Sequence, residues 1–255
     1  MEHVPTGIDG LDKMLNDGLP TGRCILVCGG PGSGKTILSM QFLRHGAIQC
    51  NESGLYVSLD EDIGQLKEEM AGFGWDLEKL EEKGKLAIVD ASPIRHIPKE
   101  VKVGDLWVGK RNFSSLSLIE IVKKNVEKIN AKRIVIDPIT ALTLQYPDIS
   151  ERRTAILDLF EALSNLGTTN LITTELRSVT LERKIRAEEF LAHGVIVLHV
   201  FMSDKEIVRG IQIEKMRGIA HDDQIRPYKI TEKGIEVFSQ EKSLIATPIT
   251  STLQV

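Results

Sequence analysis

The chain has 255 residues, of which 42% are hydrophobic and 27% charged, with a formal net charge of −4 at pH 7. This is ordinary globular composition, enough for the core of one large α/β domain, and the mild acidity excludes a global pull toward nucleic acid or anionic lipid. No apolar run reaches the length of a membrane span, and the polar opening Met1-Glu2-His3-Val4-Pro5 is not a signal peptide.

In chain order, the apolar run Cys24-Ile25-Leu26-Val27-Cys28 predicts a buried parallel strand. Gly29-Gly30-Pro31-Gly32-Ser33-Gly34-Lys35-Thr36 follows and fits the P-loop pattern G-x-x-x-x-G-K-[ST]; residues 36–43 then read as a helix with an apolar face. Strand, glycine loop and helix form an arrangement in which backbone N–H groups and the positive helix end face a phosphate. The glycines permit positive φ and close approach of backbone to the anion. Lys35 is placed to reach the β- and γ-phosphates, and the Thr36 hydroxyl to ligate Mg²⁺. The alternative is a chance glycine-rich turn. With both flanks correct, the chain is expected to bind a nucleoside triphosphate. Cys24 and Cys28 lie too far apart along a strand to bridge, so a reducing cytoplasm is the expected compartment.

Residues 54–59 form the next predicted strand, ending in Asp60-Glu61-Asp62, and a helix over 65–71 closes at Gly72-Phe73-Gly74-Trp75. Residues 86–90 are a third strand. Residues 92–113 mix prolines, glycines and both signs of charge, and read as a surface excursion or small hairpin. A helix over 114–130 feeds a strand over 133–137, and a helix over 151–166 leads to a strand over 170–175. Beyond residue 194 the segments 195–200, 207–213, 228–230 and 235–238 read as strands joined by short turns, hence antiparallel. The organisation expected is one domain over 1–239 and a loose tail over 240–255.

Hydrolysis of a nucleotide needs more than the P-loop: a Mg²⁺ or water anchor, a group to orient the attacking water, and positive charge on the γ-phosphate. Candidates stand at strand ends, where open α/β sheets bind ligands. Asp137, after a hydrophobic strand, has the pattern of an acid that holds Mg²⁺ directly or through water; the alternative is an Asp beginning an Asp-Pro turn. Asp60 or Glu61 is the candidate for aligning the water, against a merely solvated acidic run. Glu175 would sense the γ-phosphate through a water, or cap a helix. Lys215 and Arg217 alternate at a strand end, with His221 beyond; they are either positive charge supplied in trans or a solvated strand edge.

Together and in this order these residues resemble the RecA-like ATPases and, within them, the KaiC family. The similarity is carried by Pro5-Thr6-Gly7-Ile8-Asp9-Gly10-Leu11-Asp12 with Gly18-Leu19-Pro20-Thr21-Gly22-Arg23, and by Tyr56-Val57-Ser58-Leu59-Asp60-Glu61. Val89-Asp90-Ala91-Ser92-Pro93, Ile136-Asp137-Pro138-Ile139-Thr140-Ala141-Leu142, Thr173-Thr174-Glu175, Glu188-Glu189-Phe190 and Lys215-Met216-Arg217-Gly218 with His221 extend it. It runs from about residue 4 to 238 and covers one KaiC-type domain, where the clock protein carries two in tandem. The resemblance implies a RecA-like P-loop NTPase fold: a mostly parallel twisted sheet with helices on both faces and antiparallel strands at the C-terminal end. It implies ATP or ADP with Mg²⁺ on the residues from Gly29, Gly30, Pro31, Gly32, Ser33 and Gly34 to Lys35 and Thr36. It also implies a hexameric ring with nucleotide between neighbours, Lys215 and Arg217 on the adjacent subunit's γ-phosphate, and His221 near the ribose or base.

Three features depart from the pattern. Asp60 stands where the family usually has Glu, which shifts the water-orienting role toward Glu61 and supports a nucleotide-dependent scaffold with little hydrolysis as one reading. Glu188-Glu189-Phe190 occupies the place of the adjacent Ser and Thr acceptors in the clock protein's autokinase half, so clock-style autophosphorylation is not expected. The chain opens at the ATPase core, without room for the DNA-binding module of RadA. A recombinase paralogue is the other alternative, through Arg177, Arg183, Lys184 and Arg186 on DNA phosphates; the same side chains could instead pair with Glu182, Glu188 and Glu189. The segment has no aromatics to stack bases. The leading expectation is an oligomeric, slowly hydrolysing ATPase switch.

Overall fold

The structure, a computed structural model, describes residues 2–91, 101–103, 106–108, 113–175, 187–203 and 206–244. A short ribbon of β1 (His3–Val4) and β2 (Leu19–Pro20) flanks α1 (Asp9–Met14). The core then alternates: β3 (Cys24–Gly29), α2 (Lys35–Gln49), β4 (Gly54–Ser58), α3 (Ile63–Ala71), α4 (Leu77–Glu82), β5 (Leu86–Asp90). A small antiparallel hairpin, β6 (Val101–Val103) with β7 (Leu106–Val108), falls within the expected excursion. Next come α5 (Phe113–Ile129), β8 (Arg133–Asp137), α6 (Thr140–Thr143), α7 (Ile149–Asn165), β9 (Thr169–Glu175) and α8 (Ala187–Leu191). The chain closes with β10 (Gly194–Ser203), β11 (Glu206–Met216), β12 (Arg226–Thr231) and β13 (Gly234–Val237).

Among the described residues nine strands hydrogen-bond into one sheet in the order β13-β12-β11-β10-β3-β9-β8-β4-β5. From β10 to β5 every pairing is parallel; β10–β11, β11–β12 and β12–β13 are antiparallel. The expected architecture is therefore present. Strands β3 and β4 follow one another in sequence, yet β8 and β9 lie between them in the sheet. That jump opens a crevice at the carboxyl ends of β3, β4, β8 and β9, the place where such sheets hold ligands.

The period-2 alternation of a strand sends successive side chains to opposite faces. Ile25, Val27, Tyr56, Val135, Leu171, Ile196 and Leu198 pack on one face with α2, α3 and the β12–β13 hairpin. Cys24, Leu26, Leu55, Val57, Ile134, Ile136 and Val197 pack on the other with α5 and α7. Arg133 occupies a slot of the first face and is fully buried. Its Nε reaches Glu52 at 2.7 Å, its Nη1 donates to the carbonyls of Pro5 (2.7 Å) and Phe42 (3.0 Å), and the guanidinium lies 4.7 Å from the Phe42 ring centroid. Gly46 faces it so closely that a Cβ there would collide with the guanidinium.

Where sequence and structure differ, element length is the cause. The elements α1, α4, α6 and α8 have at most 6 residues each, too few to show a helical period. Strands β10 and β11 run past the expected ends, because residues 199–203 pair with β11 alone once β10 has left β3 at Leu198. The main chain beyond 239 is tied down as far as Leu244: the Glu241 carbonyl accepts from Arg226 at 2.6 Å, and Leu244 N donates to Ile225 O at 3.0 Å. Residues 245–255, most of 92–112, and Arg177, Arg183, Lys184 and Arg186 lie outside the described residues.

Candidate functional site

Three helices begin with an aspartate whose side chain accepts a backbone N–H: Asp62 at α3, Asp76 at α4 and Asp148 at α7. Helix α2 is different. Its N-cap is Gly34 at φ +87°, with no side-chain cap and no acidic residue in the first turn. The N–H groups that open α2 have no side-chain competitor there, and the positive helix end faces the cleft. The glycine expectation holds in detail at Gly32 and Gly34, both at positive φ.

At this loop Lys35 Nζ donates to the carbonyls of Gly29 (3.0 Å) and Gly30 (3.2 Å). Burial pulls its pKa below the usual lysine value, while Asp137 and Glu175 pull the other way. Lys35, Thr36, Asp60, Glu61, Asp137, Pro138 and Glu175 together line one cleft. These residues come from four separate stretches of chain, and the strand ends of β3, β4, β8 and β9 bring them together.

Asp137 is the centre of the polar network. It is 6% exposed, and three hydroxyls donate to it: Thr36 (2.8 Å) and Tyr56 (2.7 Å) to Oδ2, and Thr173 to Oδ1. With its one proton committed to Asp137, the Thr36 hydroxyl presents its lone pairs away from the carboxylate. Burial, then the neighbouring Asp137 charge, pushes the Tyr56 phenol well above its ordinary value, so it stays a donor. Tyr56 and Thr173 were not singled out as site residues from sequence; strand alternation could have shown them turned inward but not toward Asp137.

The acidic run divides its labour. Asp62 caps α3, accepting from Gln65 N at 3.0 Å. The Ser58 hydroxyl accepts from Glu61 N (3.1 Å) and donates to the Glu61 carbonyl (2.6 Å), which fixes the turn after β4. Asp60 is exposed and Glu61 half-buried, both on the cleft. Burial, then the Glu69 and Asp137 carboxylates, raises the Glu61 carboxyl to about 7. Glu175 stands opposite Gly29 in the β3–β9 register, with its backbone N–H donating to the Thr140 hydroxyl at 3.2 Å.

Lys215, Arg217 and His221 do not join this cleft. Lys215 pairs with Val195, which pairs with Leu26, toward the amino ends of the parallel strands. Three residues along and two strands across put it on the order of 14 Å from Gly29 by backbone alone. Its Nζ turns to the carbonyls of Glu189 (2.9 Å), Phe190 (3.1 Å) and Ala192 (2.6 Å), and Arg217 also donates to Phe190 (3.2 Å). Burial, then Arg217, lowers the Lys215 pKa. His221 lies in the β11–β12 connection, beside Ala220, whose carbonyl accepts from Asn16 at 2.9 Å.

The residues present fit a nucleotide with Mg²⁺. Among the described residues Ser33 Oγ, inside the loop, is buried without a partner, as a donor awaiting an anion would be. Among the described residues no group of three His, Cys, Asp or Glu could hold a metal. Thr36 and Asp137 offer hard oxygens, the donor type suited to Mg²⁺, whose sites use one or two protein oxygens with phosphate oxygens and water. Among the described residues no helix is long and apolar enough to cross a membrane.

Known proteins resemble this chain over most of its length. A family model described as "ATPase: KaiC" fits residues 4–242. The UPF0273 protein of Thermotoga maritima is 37% identical over 94% of this chain and 98% of its own length. The circadian clock oscillator protein KaiC of Picosynechococcus sp. is 36% identical over 93% of this chain, which spans 45% of that protein. A crystal structure of a KaiC-like protein from the archaeon Pyrococcus horikoshii OT3 superposes with a TM-score of 0.78 at 36% identity, covering 93% of this chain and 99% of that one.

Proposed function

The chain belongs to the KaiC family of RecA-like ATPases, and on that premise we propose that it is a cytoplasmic, Mg²⁺-dependent ATPase that hydrolyses ATP slowly at sites shared between neighbours of a hexameric ring and acts as a nucleotide-dependent switch. One observation carries the reading: Lys215 and Arg217 sit at the opposite end of the strands from the P-loop of their own chain. Their charge is then useful to a triphosphate only on an adjacent copy.

In this mechanism the α2 N-terminus and the loop amides hold the phosphates, and Lys35 exchanges its carbonyl partners for β- and γ-oxygens. Thr36 and Asp137, held together by their hydrogen bond, would hold Mg²⁺, which would supply positive charge against the phosphates. Glu61, or Asp60 beside it, aligns a water in line with the γ-phosphorus and accepts its proton as the bond to the β-phosphate oxygen breaks. A carboxyl raised to about 7 serves as such a base near neutral pH. Glu175 reads the γ-phosphate through a water, and His221 of a neighbour lies by the ribose or base.

Mixing variants tests the composite site. Lys35→Ala should abolish nucleotide binding, and Arg217→Ala should slow phosphate release by about 10²-fold or more, the range of a transition-state charge donor. A mixture of the two should regain activity, because some interfaces then combine an intact P-loop with an intact finger. A monomer by solution mass that turns over fully would refute the shared site.

A further inference from the structure

The β12–β13 hairpin lies directly on the P-loop. Ile230 and Ile235 close over Gly34, so that a Cβ on this glycine would stand 3.1 and 3.2 Å from their Cδ1 atoms. The Gln41 side chain of α2 ties the hairpin down, accepting from Ile235 N at 2.9 Å and donating to the carbonyls of Gly7 (3.1 Å) and Ile235 (3.4 Å). Within this packing one polar contact reaches the loop itself. Tyr228, 2% exposed, donates its hydroxyl to the Ser33 carbonyl at 2.6 Å.

A trans peptide is planar, and its C=O and N–H point in opposite directions. Capturing the Ser33 carbonyl on the hairpin side therefore aims the Gly34 N–H away from the hairpin, at the mouth of the loop where α2 begins. Gly34, at positive φ, would otherwise let this peptide plane rotate at little cost. We propose that Tyr228 is a positioning residue of the nucleotide site: its hydroxyl locks the Ser33–Gly34 peptide so that the Gly34 amide is preset to bind phosphate. The advantage lies in preorganisation, since an amide already oriented loses less freedom on binding the anion. Tyr228 is 195 residues from Ser33 in sequence and acts through the Ser33 carbonyl.

The inference rests on the P-loop being the nucleotide site, and its test separates the two. ADP is titrated into the full chain, into Tyr228→Phe, which keeps the ring and its packing, and into Gln41→Met, which loosens the same hairpin without touching Ser33. Lys35→Ala is the non-binding blank. Tyr228→Phe should weaken ADP binding about three- to tenfold, the worth of one neutral hydrogen bond, while Gln41→Met stays within about twofold. Tyr228→Met, which also lacks the hydroxyl, should repeat the loss if the phenylalanine variant folds poorly. Unchanged affinity in Tyr228→Phe overturns the proposal and leaves the P-loop reading intact. An equal loss in Gln41→Met overturns it as well, since general loosening would then suffice. Absence of ADP binding to the unaltered chain would sink both.

Discussion

Tyr56→Phe removes a single oxygen from the centre of the site, and its effect can be worked from the contacts. Tyr56 is fully buried, so phenylalanine keeps the packing and leaves no sizeable cavity. What disappears is a 2.7 Å hydrogen bond to Asp137, an acid that is only 6% exposed. Hydrogen bonds to charged groups contribute about 1.5–3 kcal/mol. Thr36 and Thr173 still hold the carboxylate, so the expected loss is about 2 kcal/mol, or roughly 4–8 °C in midpoint for a domain of this size. Denaturant unfolding should show a lower midpoint at unchanged slope. In an Asp137→Asn background the same change should cost less than about 1 kcal/mol, because the acceptor is then neutral. A loss below about 0.5 kcal/mol in the unaltered chain, or an equal loss in both backgrounds, would refute the charge-assisted account.

Phosphate release should rise with pH through about 7, since Glu61 must shed its proton before it can accept one from water. Glu69→Gln removes a carboxylate charge that raises the Glu61 carboxyl, so the acidic limb of the rate profile should move to lower pH; an unmoved limb would dissociate it from Glu61. Gly46→Ala pits two effects against each other. Alanine favours a helix interior by about 1 kcal/mol over glycine, but its methyl collides with the pinned Arg133 guanidinium, and overpacking costs about 1–3 kcal/mol before the ion pair to Glu52 is disturbed. Net destabilisation of about 2 kcal/mol is expected in thermal melts. A stabilised variant would show that Arg133 can move.

Much of the fold was legible because its signals are local. The residues of β3 and β8 alternate into two cores, and such alternation is written in neighbouring positions. The C-terminal strands were legible in the same way, down to their antiparallel pairing. Short helices such as α6 and α8 escaped because a single turn carries no period. The alternative reading of the acidic run as solvated held for one member only in part, since Asp62 became a helix cap through a bond to Gln65 N, three residues on.

The P-loop belongs to the sequence outright: glycines at positive φ, a lysine and a hydroxyl at fixed spacing between strand and helix need no distant partner to be recognised. Its surroundings do not. Asp137 receives Thr36 from 101 residues away, Tyr56 from 81 and Thr173 from 36, and Ser33 is held by Tyr228 from 195. No spacing rule reaches that far, because such pairs are made by strand order, and the order that inserts β8 and β9 between β3 and β4 is settled by which faces can be buried together. The same topology carries Lys215 and Arg217 to the other end of the strands from the P-loop of their own chain. Sequence by itself determined the P-loop and its place between strand and helix; tertiary structure decided which hydroxyls hold the acid and which end of the subunit the cations occupy, because only folding fixes distances between residues remote in the chain.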